Sequence, residues 1–153
     1  MQLYKLSSAV FLFSVMTGCA SVNMASQQES IEAKAFDAPD QNMAGIYIYR
    51  SNSMYAASLK KDIWIQGECV GESARGVFFY EQVPGGKSYE IATESGFSPN
   101  TLTINVESGV NYYIEQYMKY GLFVAGANLR LVGSEEGMAE ISDLDMAVKG
   151  NCS

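Results

Sequence analysis

The 153-residue chain carries 10 Lys and Arg against 17 Asp and Glu, has three cysteines and contains no histidine. A net charge of −7 argues against nucleic acid or anionic headgroups as the main partner, since both demand clustered positive charge. The missing histidine removes Ser–His and Cys–His nucleophile pairs, histidine-containing zinc sites and a histidine general base.

At the N-terminus Lys5 is the only charge before Cys19, and the apolar stretch from Ala9 to Met16 is too short for a comfortable membrane span. That order predicts a signal peptide over residues 1–18. Met16-Thr17-Gly18-Cys19 resembles the lipobox of bacterial lipoproteins, with methionine where leucine is preferred. An ordinary secretory signal starts the same way, but the cysteine behind two small residues favours the lipoprotein reading. The resemblance implies that the Cys19 thiol takes a diacylglyceryl group before cleavage and that the mature chain is held by its acyl chains, several of which anchor firmly. With Ala20 rather than Asp after the cysteine, the pattern resembles an outer-membrane address, with the domain facing the periplasm. Cleavage removes only Lys5 among the charges, leaving 135 residues at −8. Attachment is then expected through lipid and not through electrostatics.

Residues 19–42 are rich in Ser, Gln, Ala, Glu and Asp, with no sustained period, and are expected to form a lipidated flexible tether. About 22 such residues span on the order of 25 Å. A short helix at Gln27 to Ala35 is compatible with the composition but has no evident support in isolation.

From residue 43 to 153 short alternating or apolar runs are separated by turn residues, which predicts one all-β domain. Seven strands are expected, at Gly45–Arg50, Asp62–Gln66, Val77–Val83, Ser88–Glu94, Thr101–Glu107, Asn111–Met118 and Asn128–Val132. Gln66-Gly67-Glu68, Pro84-Gly85-Gly86, Ser98-Pro99-Asn100 and Ser108-Gly109 supply the turn chemistry between them. Seven strands at this spacing suggest a β-sandwich. Ser134-Glu135-Glu136-Gly137 predicts a short C-terminal helix, weakened by Gly137, and Met146 fits a strand instead.

With Cys19 lipidated, Cys69 and Cys152 are the only possible intramolecular pair, in a compartment that permits disulfides. A bridge would restrict the unfolded chain by roughly 4 kcal/mol. The alternatives are two free thiols or a link between molecules.

Catalytic chemistry is sparse. Asp143-Leu144-Asp145 and Glu135-Glu136 are the nearest candidates for a carboxylate-only hydrolase, but their spacing equally describes solvated surface charge. The dense oxygen-ligand loop of a calcium site is missing, as is the spacing of a phosphate-binding glycine loop around Pro84-Gly85-Gly86-Lys87. No metal or cofactor is expected, and the chain reads as a non-enzyme. Its aromatic content points to binding instead. In a strand Tyr47 and Tyr49 share one face opposite Ile46 and Ile48, and Tyr113 and Tyr117 oppose Tyr112 and Ile114. Tyr47, Tyr49, Tyr113 and Tyr117 are therefore the candidate ligand or partner surface, able to stack on sugars or anchor a protein. The competing reading packs them at strand edges and under loops. Residues 119–128, with Leu122-Phe123-Val124-Ala125 between glycines, are a second candidate surface, although a buried connection or strand is the better reading of them.

Phe36, Pro39, Ala44, Ile46-Tyr47-Ile48-Tyr49-Arg50, Gly67, Gly71, Val83-Pro84-Gly85-Gly86-Lys87, Gly109 and Asn111-Tyr112-Tyr113 resemble the bacterial lipoproteins grouped as domain of unknown function 2846, over about residues 36–147. The resemblance implies a small β-sandwich of the prealbumin-like or carboxypeptidase-regulatory-like kind, without an established activity and with no functional residue to carry over. Domains of that kind are mostly accessory or interaction modules, an analogy at the level of fold. The expected function is a lipid-anchored cell-envelope protein whose domain serves as an interaction or structural module, with an envelope protein as its partner. The alternative is a glycan-binding module for peptidoglycan or surface polysaccharide.

Overall fold

The computed structural model describes residues 21–96, 98–120 and 125–153; the expected signal peptide, Cys19 and the Leu122-Phe123-Val124 segment lie outside the described residues. In chain order the elements are α1 (Gln27–Ala33), β1 (Met43–Arg50), β2 (Lys61–Ile65), β3 (Glu68–Ser73), β4 (Val77–Pro84), β5 (Lys87–Thr93), β6 (Asn100–Val106), β7 (Asn111–Lys119), β8 (Gly126–Val132), α2 (Ser134–Ser142) and β9 (Asp145–Met146). All seven expected strands form, and the described residues add β3 and β9, so the count is nine rather than seven.

The strands make a five-stranded sheet, β8-β7-β1-β4-β9, and a four-stranded sheet, β3-β2-β5-β6. Pairing is antiparallel except for β1 with β7 and β4 with β9. Between the sheets lies one apolar core built from alternate residues: Ile46 and Ile48 of β1, Ile63 of β2, Phe79 of β4, Ile91 of β5, Ile104 and Val106 of β6, and Ile114 of β7. This two-layer arrangement is β-sandwich-like. Strand β6 shows the expected alternation, with Ile104 and Val106 buried and Thr101, Thr103 and Asn105 exposed.

β3 was hidden in the sequence because Glu68-Cys69-Val70-Gly71-Glu72-Ser73 has one β-branched apolar residue. Its partner makes it a strand. Ile65 pairs with Glu68 across Gln66 and Gly67, whose φ values of 52° and 77° are those of a two-residue hairpin turn that follows the sheet twist.

The outer face of the five-stranded sheet is covered as well. α1, Phe36 and α2 lie over it and create a second apolar cluster, in which Ala33, Ile141 and Leu144 meet Tyr47, Tyr49, Phe78 and Tyr113. β1 is therefore buried on both faces, which explains its unbroken apolar run from Ala44 to Tyr49. In α2, Gly137 is the point of closest approach, and a Cβ there would collide with the Tyr113 side chain. The glycine that weakens this helix in isolation is what lets it dock. Asp145 and Met146 then pair with Val77 and Phe78, so helix and strand follow each other in the C-terminal stretch.

The expected tether is corrected from residue 22 onward, because this segment is part of the fold. Val22 packs against the inter-sheet core, Met24 bridges Ala147, and α1 is closed by a capping box between Ser26 and Glu29. Ser30 and Ala33 are buried, the Tyr47 hydroxyl donates to the Ala33 carbonyl at 2.8 Å, and Lys34 Nζ donates to the Leu144 carbonyl at 2.7 Å. The partners lie from 14 to more than a hundred residues away, out of reach of any local pattern.

Candidate functional site

The four candidate tyrosines do not form a surface. Tyr47 and Tyr49 are 1% exposed and Tyr113 3%, which corrects the expectation of a ligand or partner face. Their parity holds, since all three point away from the inter-sheet core. The helices occupy the face that the parity leaves open. Tyr47 stacks between Tyr80 at 4.4 Å and Tyr113 at 5.1 Å, with Phe36 against both Tyr47 and Tyr113 at 5.5 and 6.1 Å. Tyr117 stands apart, half-buried, its hydroxyl accepting from Asn128 Nδ2 at 2.9 Å. Burial is the largest cause that pushes the phenols of Tyr47, Tyr49, Tyr80 and Tyr113 above their ordinary range. Around Tyr49, Glu115, Glu136 and Glu140 add to it. The Tyr49 hydroxyl is buried without a hydrogen-bond partner.

The candidate carboxylates are dispersed. Glu136 accepts from Arg130 Nη2 at 3.0 Å while Arg130 Nε donates to Glu115, a surface triad that ties α2 to β7 and β8. Asp143 ends α2 and lines a hollow of about 480 Å³ with Ser51, Ser53 and Glu140. A second groove, about 370 Å³, runs between α1 and β4, rimmed by Glu29, Glu32, Asp37 and Asp40 over Tyr80. Among the described residues no group of three or more His, Cys, Asp or Glu side chains could hold a metal ion, and no helix is long and apolar enough to cross a membrane.

Inside the sandwich, Gln116 is fully buried and donates through Nε2 to Thr93 Oγ1 at 2.8 Å. Thr93 donates in turn to the Asp62 carbonyl at 3.1 Å. The Gln116 Oε1 atom is left unpartnered. Arg50, only 3% exposed, donates to the carbonyls of Ala56 and Leu59 at 2.6 and 2.7 Å and so holds the loop between β1 and β2. Both groups organise the interior, and both also border a hollow of about 210 Å³ with Ser53, Tyr55 and Glu115.

The first described residues and the C-terminal tail meet at the open edges of the two sheets. After β9 the tail leaves β4, its Gly150 N–H donates to the Val70 carbonyl at 2.8 Å, and Gly150 bridges Gly71 of β3 in the other sheet. There Cys152 is disulfide-bonded to Cys69, with Cα atoms 5.9 Å apart, and Ser153 donates to Asp62 Oδ2 through its backbone N–H at 2.8 Å. On the tail's other side, the Ala25 N–H donates to the Met146 carbonyl at 2.9 Å and the Val148 N–H to the Asn23 carbonyl at 2.8 Å. A hollow of about 170 Å³ sits at this junction, lined by Ser21, Val22, Lys60, Glu72, Val148 and Asn151 among others. The disulfide is the one expected. It fastens the C-terminal tail onto the sheet, as its place in the sequence implies; that the tail itself holds the N-terminal segment was not legible, because the pairing of Met24 with Ala147 has no sequence signal.

No solved structure matches the chain. An uncharacterised protein of Haemophilus influenzae is 47% identical over 147 residues, spanning 96% of this chain and 86% of its own length. The model of a family described as protein of unknown function (DUF2846) matches residues 40–127, from just before β1 to the start of β8. By that match and that relative, the chain belongs to the DUF2846 family.

Proposed function

We propose that the protein is a lipid-anchored module of the cell envelope, attached at Cys19 to the outer membrane on its periplasmic side, which acts by contact and not by catalysis. The observation that carries this reading is the edge junction. The chain enters the fold at Val22, three residues after the lipobox cysteine, as a built-in strand-like segment. A domain secured at that point and locked by an envelope-compatible disulfide suits a protein held at a membrane. The two facing sheets, mostly antiparallel, support the finer prealbumin-like reading of the sandwich. The glycan-binding alternative rested on exposed tyrosines, and Tyr47, Tyr49 and Tyr113 are taken up by packing under the helices.

Fractionation of cells producing the Cys19→Ser protein tests the anchor. The expected result is loss from the outer-membrane fraction and disappearance of the acylated N-terminal peptide from the mass spectrum. Normal processing with retention in that fraction refutes the reading.

A further inference from the structure

The geometry points to a domain clamped edge-on against the bilayer, with the junction of the N- and C-terminal segments as its lipid-facing surface. The inference rests on the lipid anchor at Cys19. Only Ala20 and Ser21 separate that cysteine from Val22, which packs on the inter-sheet core. At ~3.5 Å per residue this leash reaches about 10 Å. A domain of this length has a radius of gyration of about 14 Å, so the leash is shorter than half the domain's width. The protein therefore cannot stand clear of the membrane, nor turn its far edge, β8, toward it. The edge that carries β9, the tail and residues 22–25 is the one that faces lipid.

Its surface chemistry fits that placement. Met24 and Val148, 44% and 45% exposed, lie beside the point where the leash leaves the fold. Lys60 and Lys149 stand at the same edge with their charges paired to Glu72 and Glu81 at 2.8 and 2.6 Å. Paired lysines on a strongly acidic protein bring the edge to the headgroups without the repulsion that the unpaired acid rim of the α1 groove would meet. Sliding α1 toward the bilayer would instead bring Glu29, Glu32, Asp37 and Asp40 against phosphate.

The test uses the acylated full-length protein in vesicles of phosphatidylethanolamine and phosphatidylglycerol, some with brominated acyl chains. In a Trp64→Phe background, tryptophan is placed at Val148 on the proposed edge or at Leu131 on β8, which is 49% exposed on the opposite edge. Val148→Trp should be quenched severalfold more than Leu131→Trp. A flexible Gly/Ser spacer of about 20 residues inserted between Ala20 and Ser21 should erase the difference, because it lets the domain leave the surface. Should the background variant fold poorly, hydrogen exchange of the unsubstituted lipoprotein gives the same answer. Exchange at residues 23–25 and 148–153 slows in vesicles relative to detergent, while exchange in β8 is unchanged. Equal quenching at both positions, or equal protection at both edges, overturns the clamped orientation while leaving the anchor intact. Absence of acyl mass on Cys19, or failure to co-float with vesicles, shows that the anchor reading itself has failed and takes this inference with it.

Discussion

Replacing Gly137 with Ala should destabilise the protein, against the sign that helix propensity gives. In an exposed helix interior the change from Gly to Ala is favourable by about 1 kcal/mol. At this position the added Cβ meets Cβ, Cγ and Cδ1 of Tyr113, the last at 2.7 Å, where ordinary contact begins at 3.4 Å. Rotation of the ring gives no relief, since the Tyr113 Cβ belongs to the strand, and the ring is stacked on Tyr47 and only 3% exposed. The helix must therefore lift, loosening Ile141 and Leu144 from the outer cluster. Overpacking of this kind costs about 1–3 kcal/mol, and with three Tyr113 atoms inside 3.0 Å the upper part of that range applies, so after the gain of about 1 kcal/mol from propensity the net loss is on the order of 1–2 kcal/mol. For a domain of this size that lowers the melting temperature by about 3–8 °C. Thermal unfolding followed by circular dichroism reads it. Ala139→Gly on the exposed side of the same helix serves as control, losing about 1 kcal/mol from propensity alone. A Gly137→Ala protein as stable as the parent, or more so, would refute the claim that α2 is held at contact distance by this glycine.

Reduction of the Cys69–Cys152 bond, or Cys69→Ser with Cys152→Ser, should cost about 4 kcal/mol for a loop of 83 residues and raise amide exchange at Ala25 and Gly150 together; an unchanged melting temperature would contradict it. Tyr47→Phe should cost about 1 kcal/mol by removing the bond to the Ala33 carbonyl, whereas Tyr47→Ala should cost about 3–5 kcal/mol, both readable from urea midpoints. Stability should also fall in alkali. The phenols of Tyr47, Tyr49, Tyr80 and Tyr113 have folded values raised above the ordinary 10, so the folded state holds protons that the unfolded state releases. Their contribution is complete below pH 10 and declines as pH rises above it. Phenolate absorbance should accordingly show a fraction of the tyrosines ionising only with unfolding, and full titration of every tyrosine in a still-folded protein would exclude the buried stack.

What local chemistry dictates was legible in the sequence. Every strand with sustained alternation or an apolar run formed, and the parity that puts Tyr47 and Tyr49 opposite Ile46 and Ile48 is the parity observed. What covers that second face was not legible. α1 is too short to stand alone, and the atoms that hold it, the hydroxyl of Tyr47 and the backbone of Leu144 and Met146, are far along the chain. β3 and β9 exist because of their neighbours and not because of their own composition. The same gap misplaced the tyrosines. A ring on the non-core face of a strand is exposed only if nothing later in the chain returns to cover it, and here α2 returns.

If the protein is exported as proposed, the meeting of Asn23–Ala25 with residues 146–148 would also order its biogenesis. On the export route proposed above, a segment paired with residues 146–148 could not dock until that stretch had crossed the inner membrane, and long-range closure of this kind is slow. During that interval the lipidated end would hang on an undocked leader some twenty residues long, giving any sorting factor that must grip the lipoprotein a brief stretch of extended chain. Completion of the C-terminus and oxidation of Cys152 would withdraw that handle. Maturation would thus be marked by the disappearance of a peptide rather than by its removal.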